Sequence, residues 1–168
     1  ALLIYLIPEL KAQPSIKALA LGRPRLLRKL SLGTAGAWVV RYGDLDGDRQ
    51  VDLLAVQNIR REPSCLTALT LKGRRLWQQG QPNLKHASVT ADLPVQLYDW
   101  DGDGADEVLI VRQGRFEILR GLDASVVASM PAPARDAIFL ADLGGPNERA
   151  WVVLKDRYSH FWVYDHSL

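Results

Sequence analysis

Two acidic stretches decide how this 168-residue chain folds. The first reads Asp44-Leu-Asp46-Gly-Asp48-Arg-Gln-Val-Asp52-Leu-Leu, and the second reads Asp99-Trp-Asp101-Gly-Asp103-Gly-Ala-Asp-Glu107-Val-Leu-Ile. In both stretches acidic residues stand at positions 1, 3, 5 and 9, and an apolar run follows at once. Carboxylates packed this closely repel one another unless a cation neutralises them. The shared spacing therefore indicates a cation-binding loop that occurs twice.

Calcium is the cation that this spacing favours, with up to two structural Ca²⁺ ions in the chain. Calcium takes about six to eight oxygen ligands, and a loop with acids at alternate positions plus one backbone carbonyl supplies them. Position 7 of each loop is predicted to contribute its backbone carbonyl. The predicted ligands are Asp44, Asp46, Asp48, Gln50 and Asp52 in the first loop and Asp99, Asp101, Asp103, Ala105 and Glu107 in the second.

An EF-hand begins with the same acidic spacing, but it requires a helix on each side and a Glu at position 12. Position 12 is Ala55 in the first loop and Ile110 in the second, and β-rich runs flank both loops. The EF-hand is therefore disfavoured. The first loop is the weaker candidate, because Arg49 stands where the second loop has Gly104 and adds both backbone strain and a positive charge.

A third, decayed copy of the motif begins at Asp142. Gly144 and Pro146 occupy its positions 3 and 5, so we expect this loop to bind no metal and to be shaped by turn chemistry. The first aspartates of the three copies lie 55 and then 43 residues apart.

Short β-rich runs bounded by Gly, Pro, Asp or Asn fill the rest of the chain, which predicts an all-β fold. About 45 residues with four short strands is the period of a propeller blade. We therefore predict one domain, 1–168, of about three to four β-propeller blades, either part of a larger propeller or an incomplete ring. The predicted repeat units are approximately 1–36, which is partial, 37–92, 93–135 and 136–168.

Composition and charge narrow the function classes. Hydrophobic residues make up 48% of the chain and charged residues 24%, which is ordinary for a globular protein. The net charge is +2, and the basic residues of the first 40 positions are not interleaved with aromatic ones, so we expect no nucleic-acid partner. The longest apolar run, 1–7, is too short to span a membrane. The single cysteine, Cys65, excludes an internal disulfide.

The two acidic stretches resemble the FG-GAP/VCBS family of β-propeller repeats, whose motif is Asp-x-Asp-x-Asp-Gly-x-x-Asp/Glu followed by an apolar strand. The resemblance covers roughly residues 37–168. It implies a calcium-binding propeller module of a secreted or cell-surface protein that binds a glycan or protein partner. It implies no catalytic residue, so we lean towards a protein that is not an enzyme.

A narrower similarity concerns Ile138-Phe-Leu-Ala-Asp-Leu-Gly-Gly145 and the segment 153–165. These residues look like propellers related to bacterial rhamnogalacturonan lyases, which implies an anionic polysaccharide partner. The alternative function is therefore a polysaccharide lyase, or a fragment of one, acting by β-elimination. Such chemistry needs a base and a group that neutralises the substrate carboxylate, for which the candidates are Lys85, His86, Lys155, Arg157, Tyr158, His160 and His166.

A purely structural role remains an open alternative for each of these residues. The segment 155–160 also fits an exposed hairpin turn, and His86 also fits a solvated loop residue. We expect most tryptophans among Trp77, Trp100, Trp151 and Trp162 to pack between sheets, with Trp100 the one that could instead contact a glycan. Cys65 fits a buried thiol, because no nearby base is indicated. Self-association, or the remainder of a longer chain, would complete the ring.

Overall fold

A computed structural model describes residues 25–87, 93–145 and 148–167. The predicted partial unit 1–36 lies mostly outside these residues, including the apolar run 1–7. The described part contains eleven strands and two short 3-10 turns, Gly33–Ala35 and Leu84–His86.

Three antiparallel sheets follow one another along the chain, and in each the strands pair with their sequence neighbours. The first sheet contains β1 (Val39–Gly43), β2 (Asp52–Ile59), β3 (Glu62–Thr70) and β4 (Arg75–Gln79). The second contains β5 (Val95–Tyr98), β6 (Glu107–Arg112), β7 (Arg115–Leu119) and β8 (Val126–Pro131). The third contains β9 (Ala137–Ala141), β10 (Trp151–Lys155) and β11 (Phe161–Tyr164).

The prediction of an all-β fold is confirmed. The stretches rich in β-branched and aromatic residues at 95–98, 107–111, 137–140, 151–154 and 161–164 form strands. Gln113-Gly114 forms the hairpin turn between β6 and β7, with φ of 50° and 73°. The sequence pattern missed β8, because Ala, Ser and Met are weak strand formers and this strand is mostly exposed. The three sheets do not close into a ring within the part of the chain that the structure describes.

The second sheet is the centre of the packing, because its strand β6 is apolar on both faces. Val108 and Ile110 belong to the core shared with the first sheet, whereas Leu109 and Val111 belong to the core shared with the third. All four side chains are at most 1% exposed. An uninterrupted apolar run is what a strand buried on both faces requires.

The first strands of the three sheets lie side by side and are joined by a repeated hydrogen bond. The Arg41 Nε atom on β1 donates to the carbonyl oxygen of Val95 on β5 at 2.8 Å. The Gln96 Nε2 atom on β5 donates in the same way to the carbonyl oxygen of Ile138 on β9 at 3.1 Å. Arg41 and Gln96 hold the same position relative to their acidic loops, so each sheet attaches to the next through an equivalent contact.

None of the helices that the structure describes combines the length and apolar character needed to cross a membrane.

Candidate metal centre

The two acidic loops lie at matching places in the first and second sheets. The first connects β1 to β2, and the second connects β5 to β6. Strands flank both loops, which excludes the EF-hand for them. The backbone is left-handed at positions 4 and 6 of each loop, with φ of 74° and 62° at Gly47 and Arg49 and of 79° and 95° at Gly102 and Gly104. The two loops therefore follow the same sharp path, and only Arg49 adopts it without the freedom of glycine.

Asp44, at position 1 of the first loop, organises that loop through its own carboxylate. Its Oδ1 atom accepts hydrogen bonds from the Gly47 and Asp48 amides at 2.8 and 3.1 Å, and its Oδ2 atom accepts one from the Arg49 amide at 2.6 Å. In the second loop Asp99 does the same for Gly102 at 2.7 Å and Gly104 at 3.2 Å. Position 1 thus shapes each loop.

The residues at positions 5 and 7 also contact each other in both loops. The Gln50 amide donates to the Asp48 Oδ1 atom at 2.8 Å, and the Ala105 amide donates to the Asp103 Oδ1 atom at 2.8 Å. The Gln50 side chain adds a second bond to Asp48 at 2.9 Å. The predicted position-7 residues therefore lie against the position-5 carboxylates.

The carboxylates at positions 1, 3 and 5 of the first loop come together. One oxygen each from Asp44, Asp46 and Asp48 lie within 4.8 Å of one another. Ligands that lie about 2.4 Å from one calcium ion can be at most about 4.8 Å apart, so this spacing suits a single ion. In the second loop the corresponding set is Asp99, Asp101 and Glu107.

Asp46 gives the clearest evidence that the first loop fits a cation. Its side chain is 10% exposed, and its Oδ1 atom is buried without a hydrogen-bond partner. The other oxygen, Oδ2, forms an ion pair with Arg74 at 3.0 Å. A buried, unpaired carboxylate oxygen is costly, and a cation is the partner that the surrounding carboxylates favour. The donor set of the first loop therefore fits a hard divalent ion.

The acids at position 9 are buried and accept a hydrogen bond from the amide at position 2 of the same loop. Asp52 accepts a hydrogen bond from the Leu45 amide at 3.1 Å, and Glu107 accepts one from the Trp100 amide at 2.9 Å. Burial raises the pKa of both carboxyls, and the loop aspartates act in the same direction, while these amide bonds oppose the shift. Each ionised group is thus poorly compensated by protein alone, which favours a cation nearby.

Not every predicted ligand falls in a cluster of three. In the part of the chain that the structure describes, Asp52 lies outside the first set and Asp103 outside the second. Their oxygens hold the loop backbone through the bonds to Leu45 and Ala105. The roles of Asp52, Asp103 and the carbonyls of Gln50 and Ala105 as ligands remain predictions.

The loops are locked to one another by their position-8 residues, which sequence reasoning missed. Asp106, from the second loop, accepts a hydrogen bond from the Asp44 amide at 2.9 Å, and its own amide donates to the Asp44 carbonyl at 2.6 Å. Arg149, at position 8 of the third loop, donates to the carbonyl oxygens of Trp100 and Asp101 in the second. In the sequence, Asp106 and Arg149 each lie seven residues after the first aspartate of their loop. Only the fold shows that both contact the preceding loop.

The third loop gathers no set of carboxylates among the described residues. Asp142 is exposed and belongs to neither cluster. The loop contributes Arg149, whose guanidinium also approaches the His166 Nε2 atom at 3.1 Å. The third loop therefore contacts the second loop through a basic side chain and has no carboxylate cluster of its own among the described residues.

The proposed lyase residues do not assemble into one catalytic group. Lys85 and His86 lie on the Leu84–His86 turn of the first sheet, whereas Lys155, Arg157, Tyr158 and His160 lie in or beside the exposed β10–β11 hairpin turn. The Lys155 Nζ atom is bound to the carbonyl oxygens of Asp156 and Arg157. The hairpin-turn alternative is therefore confirmed for this segment.

His160 lies near Ser159 and Asp156, but the three do not form a nucleophilic triad. The Ser159 Oγ atom, at 2.8 Å, and the Asp156 Oδ2 atom, at 3.1 Å, both approach the same ring nitrogen, Nδ1. A triad needs the hydroxyl and the carboxylate on opposite nitrogens of the imidazole. These contacts instead close the turn.

His166 is packed rather than free. Its ring lies 4.3 Å from that of Trp100. Burial, together with the positive charge of Arg149, lowers the pKa of His166. The side chain packs against the second loop through Trp100 and Arg149.

The tryptophans mainly serve the core, and the possible glycan role of Trp100 is wrong. Trp100 is 8% exposed and belongs to the core between the second and third sheets, because position 2 of the loop points inwards. Trp162 packs against the same core, and the Trp77 Nε1 atom donates to the Gly121 carbonyl at 2.5 Å. Cys65 is buried, and burial raises the pKa of its thiol, as expected for a structural cysteine.

Comparison with known proteins reveals one similar fold. No protein-family model matches the chain. No curated protein matches it either. Among solved structures, the V. cholerae biofilm matrix protein Bap1 is similar, with a TM-score of 0.51 and 21% sequence identity over 70% of this chain. The chain spans about a fifth of the length of Bap1, since the match covers 20% of that protein. At this identity the likeness concerns the fold.

Proposed function

We propose that this chain is a calcium-binding β-propeller module of the FG-GAP/VCBS type, in a secreted or surface protein that binds a glycan or protein partner. The observation that carries the proposal is the pair of acidic loops with the same path, the same internal hydrogen bonds and clustered carboxylates. Calcium in these loops is structural, because it neutralises carboxylates that otherwise repel one another and so couples ion binding to folding.

The arrangement of the sheets supports the assignment as blades. One sheet falls within each of the proposed units 37–92, 93–135 and 136–168, and neighbouring sheets repeat the same contact between first strands. The outer face of the third sheet carries Phe139, Phe161 and Val163, which are 45%, 68% and 40% exposed. A further blade, from self-association or from a longer chain, would cover these side chains.

The similar fold of a biofilm matrix protein supports an extracellular place for this chain. Calcium is abundant outside cells, where loops of modest affinity remain loaded. A role in binding a matrix glycan or protein is consistent with that location.

Thermal unfolding with and without calcium tests the calcium proposal. We expect calcium to raise the melting temperature, with a stabilisation of about 2.7 kcal/mol per site at a free concentration of about 100 times Kd. Asp44→Asn and Asp99→Asn should each remove part of this shift, and the double variant should remove it entirely. Asp142→Asn, at the equivalent position of the third loop, is the matched control and should keep the full shift. A wild-type transition that excess chelator leaves unchanged would contradict the proposal.

The lyase alternative rests on the sequence resemblance and has a separate test. Incubation with rhamnogalacturonan produces an unsaturated uronate, with new ultraviolet absorbance, if the chain cleaves by β-elimination. We expect binding without this absorbance change.

A further inference from the structure

Three hairpin turns meet at the end of the sheets opposite the acidic loops. They connect β2 to β3, β6 to β7 and β10 to β11. The Arg61 Nη2 atom of the first turn forms an ion pair with Asp136, just before β9, at 3.0 Å. The Arg157 amide of the third turn donates to the same aspartate at 2.9 Å. Turns that are distant in sequence are thereby held together.

An open groove of about 310 Å³ lies between the first and third of these turns. It is lined by Arg61, Asp136, Asp156, Arg157, Tyr158 and Ser159. A smaller recess of about 50 Å³ adjoins it, lined by Arg60, Arg61, Glu62, Arg135 and Asp136. We call the combined surface of Arg60, Arg61, Arg135, Arg157 and Tyr158 the arginine groove.

The acidic side chains of this surface are already engaged within the protein. Glu62 accepts the Gln113 amide, and Asp136 accepts Arg61 and the Arg157 amide. Asp156 accepts the amides of Tyr158, Ser159 and His160 at 3.1, 2.8 and 2.9 Å. Few oxygen lone pairs of these carboxylates therefore remain to accept hydrogen bonds from the arginines.

The arginines, by contrast, keep free donors. Arg60 and Arg135 are exposed, and among the described residues neither side chain forms a hydrogen bond or an ion pair. The Arg61 Nε atom is buried without a partner. The Arg157 guanidinium lies 5.8 Å from the centre of the Tyr158 ring and has no acidic partner in the described part of the chain. The groove therefore presents a surplus of guanidinium donors.

The backbone at Arg60 and Arg61 is strained. Their φ values are 51° and 73°, in the left-handed region that a two-residue hairpin turn normally fills with Asn and Gly. Two arginines at these positions cost stability, and such strain is typical of functional positions. The conformation of the turn therefore gives no reason for arginine at these two positions, which points to a role for the side chains.

An aromatic ring stands beside these donors. Tyr158 is 88% exposed, so its ring offers a flat face to solvent. Sugar rings stack on such faces, while guanidinium groups bind carboxylates with two parallel hydrogen bonds.

We infer that the arginine groove binds the carboxylate groups of an acidic polysaccharide, with Arg60 and Arg157 as principal carboxylate contacts and Tyr158 as the stacking platform. The inference rests on the proposed function and identifies the class of its glycan.

Binding is measured by calorimetry with polygalacturonate, in chelator so that calcium cannot bridge protein and polymer. Arg60→Asn/Arg157→Gln removes two charges while Asn tolerates the left-handed backbone. We expect this variant to bind about tenfold or more weakly, because each charge-assisted hydrogen bond contributes about 1.5 kcal/mol or more. The charge-matched control is Arg75→Gln/Arg120→Gln, whose side chains lie at the acidic-loop end of the sheets, and it should retain binding. Tyr158→Ala should also weaken binding.

Other ligands sharpen the test. Methyl-esterified polygalacturonate, which has the sugar without the charge, and dextran should not bind. Equal loss of affinity in both double variants, or tighter binding to single-stranded DNA than to polygalacturonate, would overturn the inference. These binding measurements are made without calcium, so their result is independent of the calcium-dependent shift in melting temperature. Loss of one result therefore does not imply loss of the other. Circular dichroism of each variant establishes that it is folded before binding is compared.

Discussion

At the scale of single residues, Arg49 separates the two acidic loops. It occupies a left-handed position, with φ of 62°, that the second loop fills with Gly104. A side chain in this conformation costs about 1 kcal/mol, and the guanidinium adds a positive charge next to the carboxylate cluster. Both effects oppose cation binding by the first loop.

Replacing Arg49 tests these two effects separately. Arg49→Ala removes the charge but keeps the strain, whereas Arg49→Gly removes both. Calorimetric titration should show tighter calcium binding by the first loop in both variants. The glycine variant should also be about 1 kcal/mol more stable to denaturant than the alanine variant. Equal stability of the two would show that the backbone conformation carries no cost.

Asp156 provides the pH dependence that can be predicted at a single residue. The amides of His160 and Ser159, together with the His160 ring and the Tyr158 amide, lower the pKa of this carboxyl. Because the pKa in the folded protein is below the value in the unfolded chain, the ionised form stabilises the hairpin above about pH 4. That stabilisation is lost as the pH falls below the unfolded value.

Urea unfolding at pH 7 and near pH 3 measures this contribution. Wild-type protein should lose more stability between the two pH values than Asp156→Asn does. Asp142→Asn is the comparison, because Asp142 is exposed and forms no hydrogen bond within the described residues. If Asp156→Asn shows the same acid dependence as wild type, the carboxylate does not hold the turn.

At the scale of elements, each loop depends on the position-8 residue of the next. The Asp106 side chain and main chain both bond to Asp44, and burial raises the pKa of the Asp106 carboxyl. The hydrogen bond from the Asp44 amide opposes this rise, because it stabilises the ionised carboxylate. The second sheet therefore helps to shape the cation loop of the first.

Removing this contact should affect the two loops unequally. Asp106→Ala leaves the half-buried Asp44 amide without its carboxylate acceptor, and we expect a loss of about 1 kcal/mol in the free energy of unfolding in chelator. Calcium binding by the first loop should weaken more than binding by the second. Asp106→Asn keeps an oxygen acceptor and should lie closer to wild type. Equal weakening at both loops would argue that Asp106 acts through general stability.

At the scale of the whole molecule, β6 connects the two cores. Ile110 faces the first sheet and Leu109 faces the third, and both are fully buried. We expect Ile110→Ala and Leu109→Ala each to cost about 2–5 kcal/mol, measured by denaturant unfolding. Val163→Ala, on the exposed face of the third sheet, should cost far less. Because both cores share one strand, all variants should unfold in a single transition, and a two-step transition would show that the sheets fold independently.

What the sequence could predict is local in origin. The spacing of acids and glycines within nine residues specifies each loop, and alternating or continuous apolar runs specify most strands. These signals depend on neighbours along the chain, so the all-β class and the acidic clusters followed from them. β8 was missed because only its first two residues, Val126 and Val127, are strong strand formers, and its pairing with β7 orders the rest.

By itself, the sequence determined most of the strands and the two acidic loops, since local apolar patterns and hydrogen bonds between close neighbours specify them. The tertiary structure alone decided what the sheets bring together. It placed Trp100 in a core rather than on a surface, set Asp106 and Arg149 against the preceding loops, and gathered Arg60, Arg135 and Arg157 around one groove. The physical reason is that these contacts join residues tens of positions apart, and only the packing of one sheet on the next fixes their separation.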